Sequence, residues 1–284
     1  MVRFVGVLVG LFFAGMLILA LGNTIYLAIA EPAEPVAEYE FHKSPRDVSF
    51  SQDGPFGTFD RGQLQRGLKV FKEVCAACHG LNQIAFRNFE DLGYDEGQIK
   101  ALAAEFQVPS INPDTGEPAT RDGLPADKWP DPYANEVAAR AANNNALPPD
   151  LSLITKARKN GTAYVYSLLA GYTSQEGFKN KDGELLLEKF PDVKTPDGLY
   201  FNPYFANLNI AMAPQLSDGQ ITYDDGAPNT MEDMSKDVAA FLAWTAEPKM
   251  EVRKQIGWAA LLFLLVFTVL AYLSYRNIWA DKKH

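Results

Sequence analysis

Cys75-Ala76-Ala77-Cys78-His79 restricts what this chain can fold into more than any other feature. C-x-x-C-H is the pattern of covalent c-type haem attachment, in which two thiols add to the two vinyl groups of a porphyrin. Two intervening residues let both sulfurs face one edge of the ring across about one helical turn. The histidine that follows lies over the iron as the proximal ligand. The competing readings are a zinc half-site and a dithiol redox pair. Zinc normally takes about four Cys or His ligands in a structural site, and the chain holds only 2 Cys and 3 His. A dithiol motif is usually followed by other residues and sits inside a βαβ pattern. The expected cofactor is one covalently bound haem c, held by Cys75, Cys78 and His79. Both cysteines are then committed, so no thiol remains for a disulfide. Haem is attached outside the cytoplasm, which implies a periplasmic or intermembrane-space face.

The two ends are apolar. Residues 4–22 carry no charge, Ile25 to Ala30 extend the run, and Arg3 is the only charge before Glu31. A basic start, an apolar stretch and Ala28-Ile29-Ala30 fit a cleavable export signal, which is the expectation for residues 1–30. A retained N-terminal anchor is the alternative, because the run is long enough to span a bilayer. No Arg- and Ser-rich transit peptide is seen, so a bacterial source is expected. At the other end, Ile256 to Leu273 is about one bilayer crossing, with Trp258, Tyr272, Tyr275 and Trp279 near its ends. A transmembrane helix over 253–275 and a cytoplasmic tail over 276–284 are expected. Flanking charge does not orient it; haem attachment does, placing the residues before 253 outside.

Residues 31–252 read as one domain. It holds 34 of the 35 acidic residues and 20 of the 26 basic ones, a formal charge of −14. That balance argues against nucleic-acid binding and fits electrostatic steering of a basic soluble partner. Helices are expected where Asp60-Arg61-Gly62-Gln63 resembles a capping box before Leu64, Leu68 and Phe71 at helical spacing, and over 133–146, 162–170 and 231–245. Pro148-Pro149 forbids continuation of the second. Residues 107–132 read as a surface loop with little regular structure. No alternation runs long enough for a substantial sheet, so the fold class is mainly α.

An electron-transfer haem needs a second axial ligand. By elimination on the residues alone, His42 and Met212 stay open. His284 falls in the cytoplasmic tail, Met1 and Met16 in the leader, Met250 at the membrane edge, and Met231 and Met234 at a helix start. Met212 sits in Asn209-Ile210-Ala211-Met212-Ala213-Pro214, an apolar loop.

Five stretches and the terminal anchor follow one another in a distinctive order: Arg66-Gly67 to Cys75–His79, Ala139 to Ser152 (ARAANNNALPPDLS), Tyr164 to Tyr172 (YVYSLLAGY), Tyr200 to Pro214 (YFNPYFANLNIAMAP) and Asp237 to Pro248 (DVAAFLAWTAEP). In these the chain resembles the cytochrome c1 family, the haem subunits of quinol–cytochrome c oxidoreductase (the bc1 complex, respiratory complex III). The resemblance implies a class I c-type cytochrome domain with long loop insertions and one C-terminal transmembrane helix. It also implies Met212 as second iron ligand, Arg158 paired with a haem propionate, and Asn143, Pro149, Tyr164 and Phe205 lining the pocket.

By the same resemblance an electron arrives from a Rieske iron–sulfur protein and leaves to a c-type cytochrome, in a respiratory or photosynthetic chain. Cytochrome b oxidises the quinol, and the C-terminal helix packs beside it in a dimeric complex of the bacterial inner membrane. The chain itself performs no bond chemistry. The alternative is a stand-alone membrane-tethered cytochrome or the haem subunit of a terminal oxidase. Two departures stand out. Asn145 replaces a common glycine, which a left-handed turn tolerates, and the disulfide of some bacterial relatives cannot form here.

Overall fold

In the computed structural model the described residues are 2–31 and 34–282; Met1, Pro32, Ala33, Lys283 and the considered ligand His284 lie outside them. In chain order the helices are α1 (Val2–Ala30), α2 (Ala37–Phe41), α3 (Arg61–Glu73), α4 (Glu96–Ala104), α5 (Glu136–Ala142), α6 (Gly161–Leu169), α7 (Leu186–Lys189), α8 (Met231–Ala246) and α9 (Met250–Trp279). Short 3₁₀ segments cover Cys75–Ala77 and Phe86–Leu92. Two small antiparallel pairs complete the list: β1 (Gln107–Ile111) with β2 (Pro118–Asp122), and β3 (Tyr200–Phe201) with β4 (Asn209–Ile210). The fold is mainly helical, as the sequence implies.

α3 forms for the expected reason. The Asp60 carboxylate accepts from the Gln63 amide at 3.1 Å, which caps a free N–H of the first turn. The reciprocal half of the box is absent: the Gln63 side chain donates instead to Asp237 of α8 at 3.1 Å. Leu64, Gly67, Leu68, Val70 and Phe71 form the buried stripe. That stripe packs on α8, whose Thr230 cap accepts from the Asp233 amide. Arg66 Nε donates to Asp237 Oδ2 across the crossing at 2.9 Å. Below it, Phe71, Phe86, Phe89, Phe106, Trp129, Phe241 and Trp244 stack with ring centroids 4.6 to 6.5 Å apart. Each such side chain contributes roughly 1.5–3 kcal/mol by leaving water. A second, smaller core gathers Phe41, Phe178, Leu186, Phe201 and Leu208.

Several expectations shift. The helix expected over 133–146 is only seven residues long. Asn135 takes the cap position and accepts from the Ala138 amide, and Asn144 and Asn145 turn left-handed at φ 51° and 64°. The stretch 107–132 is not a structureless loop: it folds back as the β1–β2 hairpin. Pro109 and Pro118 hid it, yet both sit in a two-stranded ribbon where each strand has a free edge. α4 was not anticipated, although Asp95 and Gln98 form a complete capping box. The C-terminal helix starts at Met250, earlier than 253, because Met250 is itself buried in the domain.

The hairpin carries a clasp with a defined pH response. Arg121 grips Asp127 with two bonds of 2.6 and 2.8 Å, and the Leu124 amide donates to Asp127 at 2.7 Å. The Arg121 guanidinium and that amide hold the carboxyl down at about 2. A depressed carboxyl pKa means the unfolded chain binds the proton first. The clasp therefore contributes fully above the ordinary carboxylate value, and its contribution is lost as pH falls toward 2. Hydrogen-exchange protection over 118–127 should hold at pH 5 and decline below about pH 4; in Asp127→Asn it should be weak at every pH.

α1 and α9 are each long and apolar enough to cross a membrane, by length and composition. The start of α9 is bolted to the domain. Lys254 Nζ donates to the carbonyls of Gln52 and Gly57 at 2.8 and 2.9 Å. The Phe56 ring stacks on Trp258 at 5.0 Å, and Glu251 accepts from the Phe59 amide at 2.8 Å.

Candidate functional site

α3 ends where Val74 leaves helical geometry, and the chain tightens into a 3₁₀ turn at Cys75. The amides of Cys78 and His79 both donate to the Cys75 carbonyl, at 3.1 and 2.9 Å. This winds the two thiols and the imidazole around one turn. His79 Nδ1 lies 2.7 Å from the Pro149 carbonyl oxygen. A carbonyl can only accept, so Nδ1 carries the proton and Nε2 keeps its lone pair. Burial pushes the His79 pKa below its ordinary value, against the pull of the Pro149 carbonyl and of Asp150. The imidazole is thus held neutral, oriented, and ready to bind a metal through Nε2.

The segment that supplies Pro149 is sewn to the residues after His79. The Leu151 amide donates to the Gly80 carbonyl at 3.0 Å, the Asn82 amide to Asp150 Oδ2 at 2.7 Å, and the Gln83 amide to the buried Ser152 hydroxyl at 3.0 Å. A Cβ on Gly80 would meet Asp131 Oδ1 at 2.3 Å, so a side chain there would have to displace the Asp131 carboxylate.

The cysteines are both free and half-buried. Burial, with the neighbouring Cys78, pushes the Cys75 thiol up to about 12. A dithiol oxidoreductase needs the opposite, a thiolate at neutral pH. Among the described residues, no group of three or more His, Cys, Asp or Glu is placed to hold a metal ion. The zinc reading therefore has no ligand set. What remains is a pair of thiols and one oriented imidazole on a single turn, the donor set that covalent haem attachment uses.

A sequence model of the Cytochrome C1 family matches residues 50–282. The chain belongs to the cytochrome c1 family. A cytochrome c1 of Rhodospirillum rubrum is 46% identical over 83% of this chain and 87% of its own length. A Bradyrhizobium diazoefficiens protein named cytochrome b/c1 is 48% identical over 84% of this chain, which spans only 36% of that relative's length. A Candida albicans protein named as the catalytic subunit of a mitochondrial cytochrome b-c1 complex is 40% identical over 89% of this chain and 82% of its own.

The other residues expected at a cytochrome c1 site fall into two groups. Asn143 joins the motif: its Nδ2 donates to the Tyr133 hydroxyl at 3.0 Å, and that hydroxyl lies 3.6 Å from Cys78 Sγ. Met212, Arg158, Tyr164 and Phe205 do not. Among the described residues, no hydrogen bond, ion pair or ring contact joins them to Cys75–His79. Met212 is half-buried, and its carbonyl accepts from the Tyr172 hydroxyl at 2.8 Å. Arg158 is exposed, and among the described residues its side chain bonds only the adjacent Ala157 carbonyl. Tyr164 and Phe205 are half-buried. Of the other sulfurs considered, Met234 and Met250 are buried in the core. His42 is exposed, with Nε2 at 3.2 Å from the Tyr204 carbonyl. Sequence reasoning missed Tyr133 and Tyr172; their hydroxyls reach Cys78 and the Met212 carbonyl across 55 and 40 positions, and no local pattern marks them.

Proposed function

We propose that this cytochrome c1 family member carries one covalently bound haem c and is the electron-transfer subunit of a quinol–cytochrome c oxidoreductase. It takes electrons from a Rieske iron–sulfur protein and passes them to a c-type cytochrome. The observation that carries this reading is the His79 Nδ1 bond to the Pro149 carbonyl beside Cys75 and Cys78. It leaves one imidazole nitrogen, and only that one, able to bind iron. When bound, the haem supplies a one-electron carrier.

The residues of the chain bind and tune it. Cys75 and Cys78 would form the two thioether links and His79 the proximal bond. Met212 would supply the second axial ligand, whose thioether raises the potential relative to a second histidine. Arg158, exposed and without an acidic partner among the described residues, would pair with a propionate. Asn143, Pro149, Tyr164 and Phe205 would line the pocket.

Partners and place follow the same reading. The relative named for both cytochrome b and c1 supports a cytochrome b neighbour, and the Candida relative's name supports a bc1 assembly. α9 would be the single-pass anchor through 253–275 of a bacterial inner membrane, beside cytochrome b in a dimeric complex. The haem domain, 31–252, would face the periplasm and 276–284 the cytoplasm. Residues 1–30, of which Val2–Ala30 form α1, would be removed as an export signal. The acidic domain would steer a basic acceptor.

The test is a gentle detergent purification through a tag on the C-terminal tail, followed by reduced-minus-oxidised spectra. Co-purifying b-type haem and a Rieske signal, with quinol reducing the c-type haem, is the expected result. A c-type signal alone from intact, quinol-oxidising membranes would make the chain an independent tethered carrier.

A further inference from the structure

Met212 belongs to an excursion of the chain whose ends are both tied to one place. The excursion leaves β3, turns at 202–208 and returns through β4 to Met212. At its base, Asn202 is fully buried, and each of its polar atoms has a partner. Its Nδ2 donates to the Leu168 carbonyl in the last turn of α6 at 2.8 Å, and its Oδ1 accepts from the Tyr204 amide at 3.1 Å. Its own amide donates to the Leu208 carbonyl at 2.8 Å, closing the turn. Leu208 sits at φ 64°, a strained conformation for a branched side chain, and its burial holds it there. At the far end, the Tyr172 hydroxyl donates to the Met212 carbonyl at 2.8 Å. Tyr172 follows α6 by three residues, and the link has no slack. A Cβ on Gly171 would meet the Ser167 carbonyl oxygen and the Tyr204 ring, each at 2.3 Å. Arg46 donates to the Ala170 carbonyl at 2.9 Å and to the Tyr204 hydroxyl at 3.2 Å, fixing the same corner.

We propose that Tyr172 is a positioning residue for Met212, its hydroxyl pinning the Met212 main chain to the end of α6 so that the thioether is presented from a pre-set loop. The inference rests on the reading of Met212 as axial ligand. A methionine side chain is unbranched and flexible. Its sulfur stays on one target only if its backbone is fixed, and among the described residues nothing else hydrogen-bonds the Met212 main chain. The two pins divide the work: Asn202 sets where the loop starts, and Tyr172 sets where it delivers sulfur.

The experiment compares the full-length ferric protein with Tyr172→Phe, which keeps the ring and its volume and removes only the hydroxyl. Imidazole is titrated as an external iron ligand that must displace a thioether, followed by the far-red thioether-to-iron absorption band. Helical circular dichroism on heating is recorded in parallel. Loss of one buried hydrogen bond predicts imidazole binding about three- to tenfold tighter in the variant, with little change in the melting of the helices. Tyr94→Phe, on a tyrosine far from this loop, should leave the titration unchanged. Equal imidazole affinity in wild type and Tyr172→Phe overturns the proposal. So does a gain in affinity matched by an equal loss of global stability, which would mark a merely structural role. A wild-type protein with no thioether band would instead overturn the ligand reading beneath it.

Discussion

Replacing Met212 by leucine should lower the midpoint potential of the bound haem by on the order of 0.2 V, within the roughly 0.8 V span that axial ligation covers. Leucine matches methionine closely in volume, so packing costs stay under about 1.5 kcal/mol and the loop from Asn209 to Pro214 keeps its place. What is lost is the soft sulfur donor, which favours ferrous over ferric iron. Equilibrium redox titration of the purified full-length protein reads the shift directly. The ferrous variant should also bind carbon monoxide, which the wild type should not. Met231→Leu serves as the control, since Met231 is the first residue of α8 and its sulfur lies 3.8 Å from the Ser235 hydroxyl. An unchanged potential in Met212→Leu would sink the assignment. Attention would pass to His42, the other candidate that elimination left open, whose exposed ring rests on the Tyr204 carbonyl.

What was legible in the sequence was legible because its cause is local. The Asp60 cap and the buried stripe of Leu64, Leu68 and Phe71 announce α3 in a dozen residues, and the pentad at its end announces the chemistry. Asn145 accepts the left-handed turn that a small polar side chain allows, and Asn144 beside it does the same. Long-range causes stayed hidden. Gln63 looked like half of a capping box, but Asp237, 174 positions away, takes its side chain. The hairpin at 107–122 alternates in burial, but its inward positions hold Val108, Ser110, Ala119 and Arg121 rather than an apolar series, so hydropathy alone shows no period-2 signal. The Pro149 carbonyl is the same kind of case. Pro148-Pro149 could be read as a helix stop, whereas its partnership with His79 depends on a contact 70 residues apart. Resemblance named Pro149, whose carbonyl partners His79, where local physics could not, yet neither route singled out the Tyr172 hydroxyl.

The crossing of α3 and α8 makes the second large prediction. Gly67 faces α8 so closely that a Cβ there would meet the Asp237 carbonyl oxygen at 2.2 Å and Phe241 Cβ at 2.6 Å. Neither atom is the end of a flexible side chain, so neither can swing aside. Gly67→Ala must push the helices apart, and in doing so it lengthens the Arg66–Asp237 ion pair and opens the Phe71–Phe241 contact. Overpacking of this kind costs about 3 kcal/mol, against a gain of at most about 1 kcal/mol from replacing a mid-helix glycine. The overpacking wins, and the thermal midpoint of the full-length protein in detergent should fall by roughly 4–8 °C. Gly62→Ala, one turn earlier on the exposed side, isolates the propensity term. Its nearest neighbours would be Asp60 Oδ1 at 3.4 Å and Arg66 Nη1 at 3.6 Å, ordinary contacts. That variant should hold or slightly raise the midpoint. Equal behaviour of the two would mean the helices separate without cost. If they do not, the tilt forced on α3 also reaches its far end, where Cys75 and His79 begin. The Gly67 variant should then mature with less covalently attached haem than Gly62→Ala, read as haem per polypeptide after denaturation.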